Sequence, residues 1–314
     1  MPILLHALVA FLYLGVAGAV WRAAVGKAGA PGRAPVPGET SWRLSTTLRV
    51  VIVLAWVVHA WLLRDAALID GSWRFGFALA LSATMWIAVA LFWFESLVIE
   101  LVSIWLLILP LAALCALVPL AFPGSLVLGR MSGADGGAVS AWLPAHLAVA
   151  LAAYGLLTIA AIHALYMAAL ERWLHRTGGA AWRAHEDVDA GIKERAPGER
   201  RSEIERGMLA PLPPLLTMER VLFRLIGAGF ALLTLTVATG MVFSESLFGR
   251  PMRLDHKTVF TLFAWATFAL LLIGRATRGW RGRVALSWTL GGFAFLLLAY
   301  AGSRFVLEVI LHRV

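Results

Sequence analysis

The stretch 254–265, LDHKTVFTLFAW, sets Asp255, His256 and Lys257 side by side at the threshold of a hydrocarbon run. An acid, an imidazole and an amine placed there could cap a helix, meet lipid phosphates or hold a ligand. Asp255 suits the first task, since a carboxylate accepts from orphan N–H groups and favours the positive end of a helix dipole. His256 and Lys257 suit the other two. Further candidates lie far off in sequence. His6, His59, His146 and His312 each fall near the end of an apolar run, and histidine is the commonest metal ligand.

A second pattern closes the chain. Tyr300, Arg304, Glu308 and His312 recur every fourth residue, so on a helix they share one face. Arg304 and Glu308 stand within an apolar stretch, where an ionised side chain costs on the order of 3 kcal/mol and must be paired or face water. They could simply pair and lock two helices. They could equally form a polar track to His312, with Arg304 receiving an anionic group such as a propionate. Glu100 is a further carboxylate in an apolar run, a partner for Arg304 or Arg49. His146 and Tyr154 lie two turns apart, roughly 12 Å along a helix axis, so the Tyr154 hydroxyl could reach a ligand or a neighbouring helix.

The elements that must position these residues are membrane spans. Hydrophobic residues make up 61% of the 314 and charged residues 14%, with mean hydropathy +0.82; a soluble domain is about half apolar and a quarter charged. Apolar segments long enough to cross a bilayer run over 2–24, 47–64, 73–93, 97–122, 142–170, 221–244, 257–275 and 284–312. The expected fold is an all-α polytopic bundle of about eight spanning helices. The first segment lacks a charged leader region and a cleavage site, so it is expected to stay as an anchor. The organisation is then 1–170 for helices 1 to 5, a charged loop over 171–220, and 221–314 for helices 6 to 8.

Basic residues orient the bundle. Lys27, Arg33, Arg43 and Arg49, the arginines of 171–220, and Arg275, Arg278, Arg281 and Arg283 fill alternate loops. By the positive-inside rule these loops are cytoplasmic and both termini lie on the outer side; in a bacterial inner membrane, where the chain is expected, that makes both termini periplasmic. The net charge of +9 is thus a topology signal, and no nucleic acid partner is implied; the lipid bilayer is the partner. Five histidines (6, 59, 146, 256 and 312) then lie towards the periplasmic leaflet, and His163, His175 and His185 towards the cytoplasm. Interfacial histidines cost little, which explains any one of them. Several in one leaflet also suit axial ligation of a haem iron by imidazoles from separate helices. Cys115 is the one cysteine, and no CxxC or CxxCH is present. The chain therefore forms no internal disulfide, carries no covalent haem and does no dithiol chemistry by itself.

The segment 243–265, FSESLFGRPMRLDHKTVFTLFAW, resembles the tryptophan-rich periplasmic signature of the cytochrome c assembly family. These are haem-handling membrane proteins that include CcsA, CcmC and HemX. Gly249, Asp255, Lys257 and Trp265 match that signature. His146 ahead of a helix bearing Tyr154, and His312 closing the last helix, are similar to the family's two periplasmic histidines. GWRGR at 279–283 and the WTLGGFAFLLLAY after it also resemble the family. The likeness is strongest from about residue 140 onward, and the subgroup the chain most resembles is the YpjD-type inner-membrane proteins, which are similar to HemX in size. It departs where Phe243, Phe248, Met252 and Leu254 replace tryptophans and His256 replaces a proline. Those side chains give a porphyrin apolar contact without an indole N–H.

The resemblance implies a haem b site at the periplasmic leaflet, with His146 and His312 as axial ligands. His256, Phe248, Asp255, Arg304, Tyr154 and Trp265 would lie around it, and His6, His59 or His256 could substitute as ligand. Partners would be cytochrome c assembly components or haem-biosynthesis proteins. No nucleophile, acid–base pair or phosphate loop stands out, so the expected role is non-catalytic. Two other roles are open: a HemX-like regulator or scaffold acting through its cytoplasmic loop, and a small-solute or ion transporter using Glu100, Arg304 and Glu308.

Overall fold

The structure is a computed structural model that describes residues 2–28, 44–69, 72–74, 76–98, 102–122, 127–130, 142–189, 215–248 and 256–299. Eight α-helices are described: α1 (Pro2–Ala28), α2 (Thr46–Ala67), α3 (Phe77–Glu95), α4 (Val102–Ala121), α5 (Trp142–Asp189), α6 (Leu215–Phe248), α7 (His256–Arg278) and α8 (Gly282–Leu297). Seven of them are long and apolar enough to span a membrane, and α8 is a shorter apolar helix. The helical bundle expected from the apolar runs is the architecture observed. It has one addition, a small antiparallel sheet of β1 (Leu68–Ile69), β2 (Ser72–Arg74) and β3 (Val127–Arg130). This sheet ties the segment after α2 to the segment after α4. It also moves the start of α3 from the expected 73 to Phe77, because 72–74 pair as strand.

Every helix here is apolar on most faces, so which face turns inward is decided by packing. α3 is the most enclosed, with 61% of its span buried against 22% for α2 and α7. The outward faces carry large apolar side chains such as Leu4, Phe11, Trp61, Phe94 and Phe263, as lipid contact requires. α4 runs on as helix through Pro110 and Pro119. α5 continues past its apolar span to Asp189, carrying the first part of the charged segment 171–220 as helix.

Three contacts set how helices meet. Trp56 on α2 and Trp86 on α3 stack with centroids 4.7 Å apart and planes 5° apart. Each indole N–H donates to the other residue's carbonyl at 3.0 Å. Glu219 on α6 accepts from Arg275 on α7 and lies 3.7 Å from Arg281 Nε, and Arg275 stacks over Phe223 at 4.2 Å. Finally, Gly279 at φ 64° turns the chain between α7 and α8. Trp280 N–H then bonds Gly274 O at 3.2 Å, and its ring covers Gly274.

That last contact is testable. A Cβ on Gly274 would stand 2.4 Å from the Trp280 ring, whereas one on Gly291 would meet open space. Gly274→Ala should destabilise the detergent-solubilised protein by about 1–3 kcal/mol through overpacking. Gly291→Ala should be neutral or stabilise by up to about 1 kcal/mol. Thermal unfolding of the two variants side by side checks both, and equal melting temperatures would contradict this packing.

Candidate functional site

His146 lies in the second turn of α5, half-buried against α6. Its Nδ1 is 2.8 Å from Thr239 Oγ1. The direction of this bond follows from the threonine. Thr239 has one hydroxyl proton, and its Oγ1 is also 2.8 Å from Leu235 O and 3.2 Å from Thr236 O, both pure acceptors. The proton goes to a carbonyl, so Oγ1 accepts from His146 Nδ1–H. The imidazole is thereby held as the Nδ1–H tautomer, with Nε2 as its electron-pair donor. Metal-binding histidines are oriented in this way by a partner on the other nitrogen. Gly240 lies beside the ring, and a Cβ there would stand 3.6 Å from His146 Cε1, in ordinary contact. Lys257, in the first turn of α7, is within electrostatic reach of the same ring.

The other candidates from the sequence sort as follows. Trp265 donates its indole N–H to Thr234 Oγ1 at 2.9 Å and lies against Phe230, 5.7 Å between centroids. It therefore joins α7 to α6 about five residues from Thr239, on a different face of α6 from the one that receives His146. Tyr154 is half-buried, two turns along α5, and packs against the core. His256 is the exposed first residue of α7. Phe248 ends α6, and its side chain lies outside the described residues, as do Asp255, Arg304, His312, Glu100, Tyr300 and Glu308. Among the described residues, no group of three or more histidine, cysteine or acidic side chains is arranged to hold a metal ion.

Two histidines have structural partners that composition did not reveal. His59 is fully buried, with Nδ1 3.1 Å from the Tyr13 hydroxyl and Nε2 2.9 Å from Ser82 Oγ. Both ring nitrogens are engaged, so the ring ties α1, α2 and α3 together. His6 is buried within electrostatic reach of it. His163, also fully buried, donates Nδ1–H to Ile159 O at 3.0 Å and faces Glu95 Oε1 with Nε2 at 3.3 Å. Sequence spacing offered no signal for these pairs, because their partners lie 23 to 68 positions away.

The fold is that of a multi-pass helical membrane protein, with one imidazole oriented at the α5–α6 contact. Comparison with known proteins supplies the family. The model of the cytochrome c assembly protein family matches residues 47–311, and the chain belongs to that family. It is similar to an uncharacterised 28.8 kDa protein of Azospirillum brasilense, 30% identical over 80% of this chain and 81% of the relative. It is 32% identical to the inner membrane protein YpjD of Escherichia coli, over 52% of each chain. It is also 34% identical to the cytochrome c biogenesis protein CcsA of Gloeobacter violaceus, over 29% of this chain and 27% of that one. The match to YpjD thus spans about half of that protein, and the match to CcsA about a quarter.

His163 Nε2 faces Glu95 from a fully buried position, and a buried polar group that loses its partner typically costs about 1–3 kcal/mol. Glu95→Ala should therefore lower the unfolding temperature in detergent sharply. Adding His163→Phe to it should recover part of the loss, because no orphaned imidazole then remains. If the single variant melts like the parent, Glu95 and His163 do not interact in the folded protein.

Proposed function

We propose that this chain is a non-catalytic haem-binding protein of cytochrome c assembly. It would hold haem b at the periplasmic leaflet between His146 and a second histidine, His312. The alternation of basic loops supports the sidedness, and membership of the family supports haem as the ligand. The observation that carries the reading is the Thr239 bond, which fixes the tautomer of His146 and makes Nε2 the donor nitrogen. Bound haem would supply a redox-active iron, which His146 and His312 would hold. The protein's part is ligation, orientation and exclusion of water: Thr239 orients His146, and Trp265 and Phe230 hold α7 beside α6. CcsA is named for cytochrome c biogenesis, and the replacement of tryptophans at 243, 248, 252 and 254 favours haem holding or transfer over presentation to an apocytochrome.

The test is the visible spectrum of protein purified in mild detergent, oxidised and reduced, with and without added hemin. A low-spin Soret band with resolved α and β bands is expected. His146→Ala should abolish it, and Thr239→Val should weaken haem affinity about 10- to 100-fold, as loss of an orienting partner does. A colourless protein that takes up no hemin, or unchanged bands in His146→Ala, would overturn the proposal.

A further inference from the structure

At the end of the bundle opposite His146, a cavity of about 510 Å³ opens between α5 and α8. Its walls are two matched stripes. From α5 come Ala168, Glu171, Arg172 and His175, and from α8 come Arg283, Leu286, Ser287 and Leu290. Each set follows the i, i+3, i+4, i+7 spacing of one helical face, so the cavity is a seam where two such faces meet. Polarity changes along it in one direction. Arg172 closes the α5 span and Arg283 is the second residue of α8, which puts both guanidiniums at the membrane boundary. Ser287 lies one turn deeper. Leu286, Leu290 and Ala168 form the floor on the membrane side.

The charges are unbalanced. Glu171 lies 3.9 Å from His175, its neighbour one turn along α5. Among the described residues neither Arg172 nor Arg283 has an acidic partner, whereas Arg275 and Arg281 at the same end are both held by Glu219. Two guanidiniums against the one carboxylate of Glu171, with a hydroxyl and an apolar floor, match a phosphate on a hydrocarbon stem. Arginine binds phosphate oxygens through a bidentate fork, and basic pockets between spanning helices are known headgroup sites. We propose that this seam binds the headgroup of an anionic phospholipid, with the phosphate on Arg172, Arg283 and Ser287 and an acyl chain along Leu286 and Leu290. Free phosphate shares the headgroup's chemistry but makes no use of the apolar floor, which continues into the membrane-embedded faces of α5 and α8. The inference is independent of the haem reading.

Native mass spectrometry of the full chain in detergent tests it, with phosphatidylglycerol, phosphatidylcholine, inorganic phosphate and hemin as probes. The parent should bind phosphatidylglycerol in preference to phosphatidylcholine. The double variant Arg172→Gln/Arg283→Gln should bind phosphatidylglycerol roughly thirty-fold more weakly. Arg278→Gln, an exposed arginine at the same end but outside the cavity, should bind like the parent. All three should melt alike in phosphatidylcholine, which separates lost binding from lost fold. Leu290→Trp keeps both arginines, fills the floor and should also weaken the lipid. Equal phosphatidylglycerol binding by parent and double variant would overturn the proposal. So would saturation by inorganic phosphate alone, which would make this a simple anion site. Displacement of the lipid by hemin, with the double variant losing hemin equally, would assign the seam to a porphyrin instead.

Discussion

Inside a bilayer a polar group has no water to bond, so each one must find its partner within the protein. That constraint shapes this bundle more than hydrophobic burial does, since lipid is as apolar as any core. Its simplest expression is the threonines: Thr84, Thr158, Thr234, Thr236, Thr261, Thr267, Thr277 and Thr289 each return their hydroxyl proton to the carbonyl one turn back. Larger polar groups cannot be satisfied within one helix, and these are what join helices. Trp56 and Trp86 exchange indole protons with each other's backbone, His59 bridges Tyr13 and Ser82, and Glu219 gathers Arg275 and Arg281.

The same constraint separates histidines that composition treats as equals. Both nitrogens of His59 are engaged by neighbouring helices, and ligating a metal would mean breaking one of those bonds in a dry interior. His163 has one nitrogen on its own helix and the other against a carboxylate. His146 differs because its partner is a hydroxyl whose proton is already placed. Thr239 can only accept, and this acceptance assigns the imidazole's proton. A ring fixed in this way presents a defined lone pair at fixed orientation, which is what ligation of a metal requires. The distinction comes from counting protons on the partners, not from burial.

Much of the architecture could be read from the apolar runs, because a spanning helix must be about 20 residues long whatever it packs against. The ends were harder. The apolar runs leave only a gap between 64 and 73, and the pairing of Ser72–Arg74 with Val127–Arg130 depends on a strand more than fifty positions away. The site was only half visible. His146 could be singled out as a histidine near a helix end that resembles the family's, but Thr239 looked like any other helical threonine. Its role depends on α6 lying antiparallel to α5 in one register. Similarly, Arg275 read as one of four basic residues marking a cytoplasmic loop. Only the fold shows that it is tied to Glu219 while Arg283 faces a cavity. The likeness of α2 to α4 to the family also exceeds what their generic hydropathy suggested, since the family match begins at residue 47.

The basic residues at the α6–α7–α8 end illustrate why a topology signal is seldom only that. A positive loop need not have any particular geometry to orient a chain, so selection for orientation alone would leave its arginines interchangeable. They are not interchangeable here. Arg275 stacks on Phe223 and meets Glu219, and Arg281 leans on the same carboxylate from the turn that Gly279 makes. Together they fix where α8 begins and therefore which face of α8 meets α5. The two stripes can form a seam only because that register is set. The Glu219 cluster thus acts at a distance on the cavity, and the positive charge at this end of the molecule does two separate physical jobs: it clamps three helices and leaves two guanidiniums facing the seam.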